Sequence, residues 1–322
     1  MSRTVQHLSI VIPTKDHPQE VERLLQSLHG QTVWPGEVVV VDGGANPVRG
    51  AFREPAGMPI RYVRVSPPGL ARQQNAGVHA VASSATLVGF LDDDMVLGLD
   101  ALERMLHFWE RADHHVAGAA FNLTNNTDHP QGVWFKMLFG MDGRLPGRLL
   151  RSGYQTKIGA VPHTREVEWL YGGATVWRKT ILDAYPFDEW FEGPSYLYEL
   201  DFSFRVGQRY RMVVVAEAHA KEVAAPTRQW VDRPLGMWQV LNRLYFVTKH
   251  EATGRMSSAR CRLALFCQFL VNLGRGTIGG EPRYLSRAIG NVDGWRRARS
   301  LTASRDSGQA PVRLAKATNA PS

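Results

Sequence analysis

Cysteine is nearly missing: only Cys261 and Cys267 occur among the 322 residues, so no disulfide framework holds this chain together. Both lie in an apolar, helical-looking stretch, where two buried thiols in a reducing compartment are expected rather than one bridge. Long apolar runs are missing too. The strongest, LALFCQFLV at 263–271, is about half the ~20 residues that a membrane-spanning helix needs. No basic-then-apolar leader opens the chain, because MSRTVQHLSIVIPT runs straight into a strand. These absences predict a cytoplasmic protein. Charged residues make up 21% and hydrophobic ones 44%, which excludes disorder over most of the length. That is enough apolar material for one large domain, or a domain with an appendage.

Acidic residues run out towards the C-terminus. Residues 1–232 carry 23 Lys and Arg against 26 Asp and Glu, whereas residues 233–322 carry 15 against 4. A near-neutral body thus joins a strongly basic end. Such an end is either a solvated tail or a surface that meets anionic lipid or nucleic acid.

What is present alternates. LSIVIPT, EVVVVD, IRYVRV and ATLVGFL read as strands, and HPQEVERLLQSLHGQ, GLARQQNAGVHAVAS and GLDALERMLHFWERA as helices between or after them. Strands alternating with helices predict an α/β protein with a mostly parallel central sheet covered on both faces. Residues 121–165 are loop-rich, and VEWLYGGATVWRKTILDAYPFDE and SYLYELDFSFRVGQRYRMVVVAEAHA restore order. Beyond them, helical, aromatic and basic character dominates. PLGMWQVLNRLYFVTKH carries an apolar stripe of Leu235, Met237, Trp238, Leu241, Leu244 and Tyr245 with Arg243 and Lys249 beside it. Such a helix either lies in a membrane interface or packs on the preceding domain.

Ligands of open α/β sheets sit outside the carboxyl ends of the strands. The residues expected there are Pro13-Thr14-Lys15-Asp16, Asp42-Gly43-Gly44 and Asp92-Asp93-Asp94. Adjacent carboxylates repel unless a cation neutralises them, and hard ions such as Mg²⁺ or Mn²⁺ use one or two carboxylates plus substrate phosphates. Asp92 and Asp94 suit one such site, with Asp93 pointing elsewhere. The alternative is an Asp-rich turn capping the next helix. Arg72 and Asn75, on the first turns of a helix, are placed to counter a diphosphate.

In order and spacing, SIVIPTKDHPQEVERLLQSLHGQT, EVVVVDGGA, GLARQQNAG, LVGFLDDDM, WLYGGATVWRKTIL, FDE and ELDFSFRVGQRYRM resemble the glycosyltransferases of family 2, which have the GT-A fold. The resemblance covers residues 9 to about 220. It implies a catalytic domain over 1–230, with a nucleotide-sugar half to about 120 and an acceptor half from 121. A helical basic extension over 231–300 and a disordered tail over 301–322 would follow. By the same resemblance Pro13, Thr14, Asp42, Gly43, Arg72, Asp92 and Asp93 would bind a UDP-, dTDP- or GDP-sugar. Asp92, Asp94 and His219 would hold Mg²⁺ or Mn²⁺. Gly172 and Gly173 would line the acceptor side, Glu199 would be the base, and Asp201 a second catalytic candidate, structural or acceptor-orienting in its role. Two departures stand out: Tyr198 replaces an acid that relatives carry before the base, and DGGA replaces a motif with a hydroxyl.

The implied activity is inverting transfer of a sugar to an acceptor hydroxyl, in assembly of bacterial surface polysaccharide or glycolipid. The acceptor would be a saccharide or a lipid-linked saccharide. Peripheral contact with an anionic membrane on the inner face of the cell membrane would follow, with no nucleic-acid partner. The competing readings are a sugar nucleotidylyltransferase, disfavoured because PTKDHPQE is no glycine-rich phosphate loop, and a carbohydrate-binding relative without catalysis.

Overall fold

A computed structural model describes residues 3–126, 134–191, 196–223 and 232–306. Two compact units divide the chain. The first comprises Met1–Leu150 and Tyr154–Gln229, the second Arg151–Gly153 and Trp230–Ser322.

In the first unit β1 (Arg3–Thr14), β2 (Val33–Asp42), β3 (Ile60–Arg64) and β4 (Leu87–Leu91) form a parallel group in the order β3-β2-β1-β4. The sheet continues through β8 (Ala174–Arg178), β6 (Val116–Leu123), β9 (Arg211–Glu222) and β5 (Met95–Leu97). Here β6 and β9 are parallel, whereas β8 runs against both β4 and β6. Short β5 and β7 (Arg165–Val167) pair antiparallel with β9. The expected α/β sheet is therefore present, with antiparallel strands added in its second half.

Residues alternate across β1 as strand geometry requires. Leu8, Ile10 and Ile12 join Val38 and Val40 of β2 in one buried cluster with α1 (Pro18–His29) and α3 (Ala101–Arg111). α1 starts with Pro18, where a missing N–H costs nothing. It buries Val21, Leu24, Leu25 and Leu28 at the period of one helical face. Val11 faces the other way, towards α2 (Leu70–Ala80), which approaches so closely that a Cβ on Gly77 would overlap the Val11 side chain. Helices thus cover both faces, and burial of these aliphatic side chains, about 1.5–3 kcal/mol each, holds the strand ends in register. α4 (Trp134–Leu138), α5 (Lys179–Ala184) and α6 (Tyr198–Val206) complete the unit.

The second unit is helical: α7 (Asp232–His250), α8 (Ser258–Thr277) and α9 (Pro282–Asp306). Its core takes Met237, Val240, Leu241, Phe246 and Val247 from α7 with Cys261, Ala264 and Leu265 from α8. Both cysteines are free thiols. α7 and α9 touch backbone to backbone, because a Cβ on Gly236 would overlap the Arg287 carbonyl and one on Gly290 the Arg233 carbonyl. Asn291 Nδ2 donates to the Gly236 carbonyl at 2.8 Å, and Asn272 Nδ2 donates to Asn291 Oδ1 at 3.0 Å. Arg243, expected beside the apolar stripe, is buried (2% exposed) and donates to the Gly153 carbonyl. The apolar stripe of α7 supplies this core, as Met237 and Leu241 show. α9 extends to Asp306, six residues into the segment expected to be a tail, and residues 307–322 lie outside the described residues. Among the described residues no helix is long and apolar enough to cross a membrane.

Candidate active site

Thr14 and Asp42 pair in register at the carboxyl ends of β1 and β2. Gln73 ties these ends together. Its side-chain amide donates to the Thr14 and Val41 carbonyls, both at 2.8 Å. A Cβ on Gly43 would press on Gln73, so the first turn of α2 lies directly on the strand tips.

Asp42 is fully buried, and its carboxylate is occupied from several sides. Oδ1 accepts the Gly44 amide at 2.7 Å. Oδ2 accepts the Val48 amide at 2.9 Å, the Tyr62 hydroxyl, and Arg64 Nη1 at 2.7 Å. Burial alone would push the Asp42 carboxyl up, but the bonds from Tyr62, Val48, Gly44 and Arg64 outweigh it and hold the group below its ordinary value. Burial and the Asp42 partner raise the Tyr62 hydroxyl, which stays protonated. Asp42 therefore shapes the 43–48 turn, and a direct meeting with a base would require one of these donors to leave.

The acidic triplet follows β4 and splits by direction. Asp93 turns back to β1, where its Oδ2 accepts the Thr14 hydroxyl at 2.7 Å and lies 3.2 Å from His17 Nδ1. Asp92 leans on β8: its amide donates to the Gly173 carbonyl at 2.8 Å, and a Cβ on Gly173 would overlap its carboxyl. Asp94 is buried, with its carbonyl accepting the Val223 amide at 2.8 Å. The triplet does not cap α3, since that helix begins at Ala101 and Asp100 pairs with Arg104.

Next along the rim, the Gly172 carbonyl accepts Gln74 Nε2 at 2.8 Å, and a Cβ on Gly172 would overlap the Tyr198 hydroxyl. Tyr198 and Glu199 form the first turn of α6, entered through Leu197 at φ 74°. A buried leucine in that left-handed conformation costs about 1–2 kcal/mol, so packing fixes how Glu199 is presented. Asp92, the glycine pair and Tyr198 thus touch in turn, and Glu199 follows Tyr198 on the first turn of α6. Asp201 falls elsewhere. It is fully buried, with Oδ2 2.9 Å from Arg205 Nε, and Arg205 in turn donates to the Pro186 carbonyl at 2.7 Å. That burial against Arg205 suits a structural part for Asp201 rather than a meeting with substrate.

Arg72 reaches Glu189 Oε2 at 2.9 Å and the Pro67 carbonyl at 3.0 Å. Asn75 brackets Phe187, donating to its carbonyl and accepting its amide, both at 2.9 Å. His219 sits on β9 with an exposed ring, and its carbonyl accepts the Gly98 amide at 2.9 Å. Among the described residues no three His, Cys, Asp or Glu side chains gather at a metal-binding point. His219 is accordingly not gathered with Asp92 and Asp94 into one cluster of ligands.

Residues 9–153 match the family described as glycosyl transferase family 2. Over that stretch the sequence is similar to family 2 glycosyltransferases. The fold agrees. S. aureus TarS 1–349 is 13% identical over 94% of this chain and 92% of that chain, with a TM-score of 0.50. The structure of the same fragment in complex with UDP-GlcNAc is 14% identical with the same coverage and TM-score. Against the longer TarS chain this chain spans 44% of that length. None of the curated proteins matches the sequence. The sheet unit has the GT-A fold that the resemblance implies.

Sequence reasoning overlooked several side chains that shape this glycosyltransferase site: Gln73, Gln74, Tyr62, Arg64 and Glu189. The signal for Tyr62 and Arg64 was available in the alternation of IRYVRV, which puts both on one face beside Asp42. Gln73 and Gln74 gave none, because an uncharged amide inside a helix looks like any solvated position.

Proposed function

We propose that this chain is an inverting, metal-assisted glycosyltransferase that moves a sugar from a nucleoside-diphosphate donor to an acceptor hydroxyl. The observation that carries this reading is the run of contacts from Asp92 over Gly173 and Gly172 to Tyr198, which Glu199 follows. A donor laid along the tips of β1, β2 and β4 has its anomeric carbon towards the two glycines, whose bare backbone lets an acceptor approach closely. Glu199 takes the proton from the attacking hydroxyl, a new glycosidic C–O bond forms, and the bond to the diphosphate oxygen breaks. One displacement inverts the anomeric centre and requires no nucleophile from the protein.

Charge on the departing diphosphate is met by Arg72. Its ion pair with Glu189 is partly solvent-exposed, and such pairs are worth about 0–1 kcal/mol, so a diphosphate can displace Glu189. Asp92 and Asp94 fit a hard divalent ion that takes its other ligands from phosphate and water, and Mg²⁺ or Mn²⁺ bound there would supply positive charge against the leaving group. Thr14 and Asp93, locked together, hold the turn that presents those carboxylates. The acceptor is a saccharide or lipid-linked saccharide in surface-polysaccharide or glycolipid assembly, which places the enzyme at the inner face of the membrane.

The test is release of nucleoside diphosphate from a panel of UDP-, dTDP- and GDP-sugars with Mg²⁺ or Mn²⁺. Glu199→Gln is expected to lower kcat by about 10²–10⁴-fold while nucleotide binding, read by thermal shift, is kept. Binding of a nucleotide sugar without turnover in the wild type would favour a carbohydrate-binding protein, and full activity in the variant would remove Glu199 as the base.

A further inference from the structure

α8 has two unlike sides. Cys261, Ala264 and Leu265 face the core of the second unit, while Leu263, Phe266 and Leu270 are 51%, 53% and 46% exposed. With Ala259 before them and Leu273 after them, these residues recur at steps of four and three, so they lie on one stripe along about four turns. Ile278, at the helix end, is 93% exposed. Solvated leucines and phenylalanine in a continuous row are costly to leave uncovered, and such patches mark contact surfaces.

The charge around the stripe selects the occupant. α8 carries three arginines, Arg260, Arg262 and Arg275, and no acidic residue. Arg260 and Arg262 are exposed and stand on the two flanks of the stripe at its first turns. A second copy laid along the same stripe would bring like charges together without one acid to oppose them. An apolar face edged by arginines, in a segment with 15 basic residues against 4 acidic ones, is complementary to a bilayer whose headgroups are anionic.

We propose that the α8 face of Leu263, Phe266 and Leu270, flanked by Arg260 and Arg262, is the surface by which this protein lies on an anionic lipid bilayer. The stripe enters the headgroup boundary and the guanidinium groups meet lipid phosphates. The surface is distinct from the α7 stripe, which gives Met237 and Leu241 to the core of the second unit. It does not depend on the sugar-transfer reading, since a protein that transfers no sugar would carry the same surface.

The experiment is co-sedimentation of the full chain with vesicles of phosphatidylcholine alone and of phosphatidylcholine mixed with phosphatidylglycerol. The wild type is expected to bind the mixed vesicles and to leave the neutral ones unbound. Replacing Arg260 and Arg262 by Gln should weaken binding by about fivefold per arginine, the equivalent of about 1 kcal/mol each. The triple variant Leu263→Ser, Phe266→Ser, Leu270→Ser should abolish it with an unchanged unfolding midpoint. Should that variant not fold, Phe266→Cys carrying an environment-sensitive fluorophore should shift to the blue on adding mixed vesicles. Failure to bind mixed vesicles, equal binding to both kinds, or binding by the folded triple variant would overturn the proposal. So would a wild-type dimer in sedimentation that the triple variant converts to monomer, because the face would then belong to a second copy.

Discussion

Asp42 is a charge with no access to water, and it is tolerable because two backbone amides, a phenol and a guanidinium replace its hydration. Hydrogen bonds to a charged group contribute about 1.5–3 kcal/mol each, so Asp42→Asn should lower stability by about that amount or more. The sign of its pH dependence follows from the depressed carboxyl. The folded chain holds the anion to lower pH than the unfolded chain, whose carboxyl titrates near 3.8. The stabilisation is therefore present above that value and is lost as pH falls through the lower folded one. Urea denaturation of wild type and Asp42→Asn should show a constant gap near neutrality that closes below about pH 4. A gap independent of pH down to acid unfolding would mean the charge contributes nothing. The role given to this residue by its sequence position, an acid at a strand end, was legible. Its donors were legible only in part: the alternation of IRYVRV puts Tyr62 and Arg64 on one face, but the pairing of β2 with β3 is what brings that face to Asp42.

Elements were legible wherever their pattern was local. α1 and α3 announce themselves through apolar spacing, and β1, β2 and β4 through β-branched runs. The antiparallel direction of β8 was not, because ATVWR reads the same whichever neighbour it pairs with. The α7 stripe left two readings open for a related reason: a row of apolar residues states that a face will be covered but not by what. Its cover within the second unit includes α9, at a separation that only glycine permits. Gly290→Ala should gain about 1 kcal/mol of helix propensity, yet its methyl would meet the Arg233 carbonyl. Overpacking costs about 1–3 kcal/mol, so the net expectation is a lower denaturation midpoint by circular dichroism. A higher midpoint would show that the two helices can part without loss.

For the molecule as a whole, the two charge regimes seen in the sequence correspond to different kinds of structure: a near-neutral sheet unit that carries the candidate site, and a basic helical unit. The strand-tip location of the site was legible from the sequence because all parallel strands of such a sheet end on one side. The placement of His219 was not, since a histidine near the end of a strand can face either way. The second unit also carries its own reporters. Burial pushes the Cys261 thiol up to about 12 and raises Cys267 as well, so neither is a reactive thiolate at neutral pH. Iodoacetamide should modify both slowly in the native protein and rapidly in denaturant, with mass spectrometry reading the adducts. Rapid native labelling at Cys261 would contradict the packing described around α8.

The two asparagines linking α8, α9 and the Gly236 carbonyl carry a consequence for assembly of the helices. Neutral amide pairs add little to cohesion, but sliding α9 by one turn would strand Asn272 and Asn291 among hydrocarbon with their donors unanswered. Misaligned bundles are penalised more than the aligned one is favoured, and the pair works as an alignment key for three helices whose aliphatic surfaces alone would accept several registers.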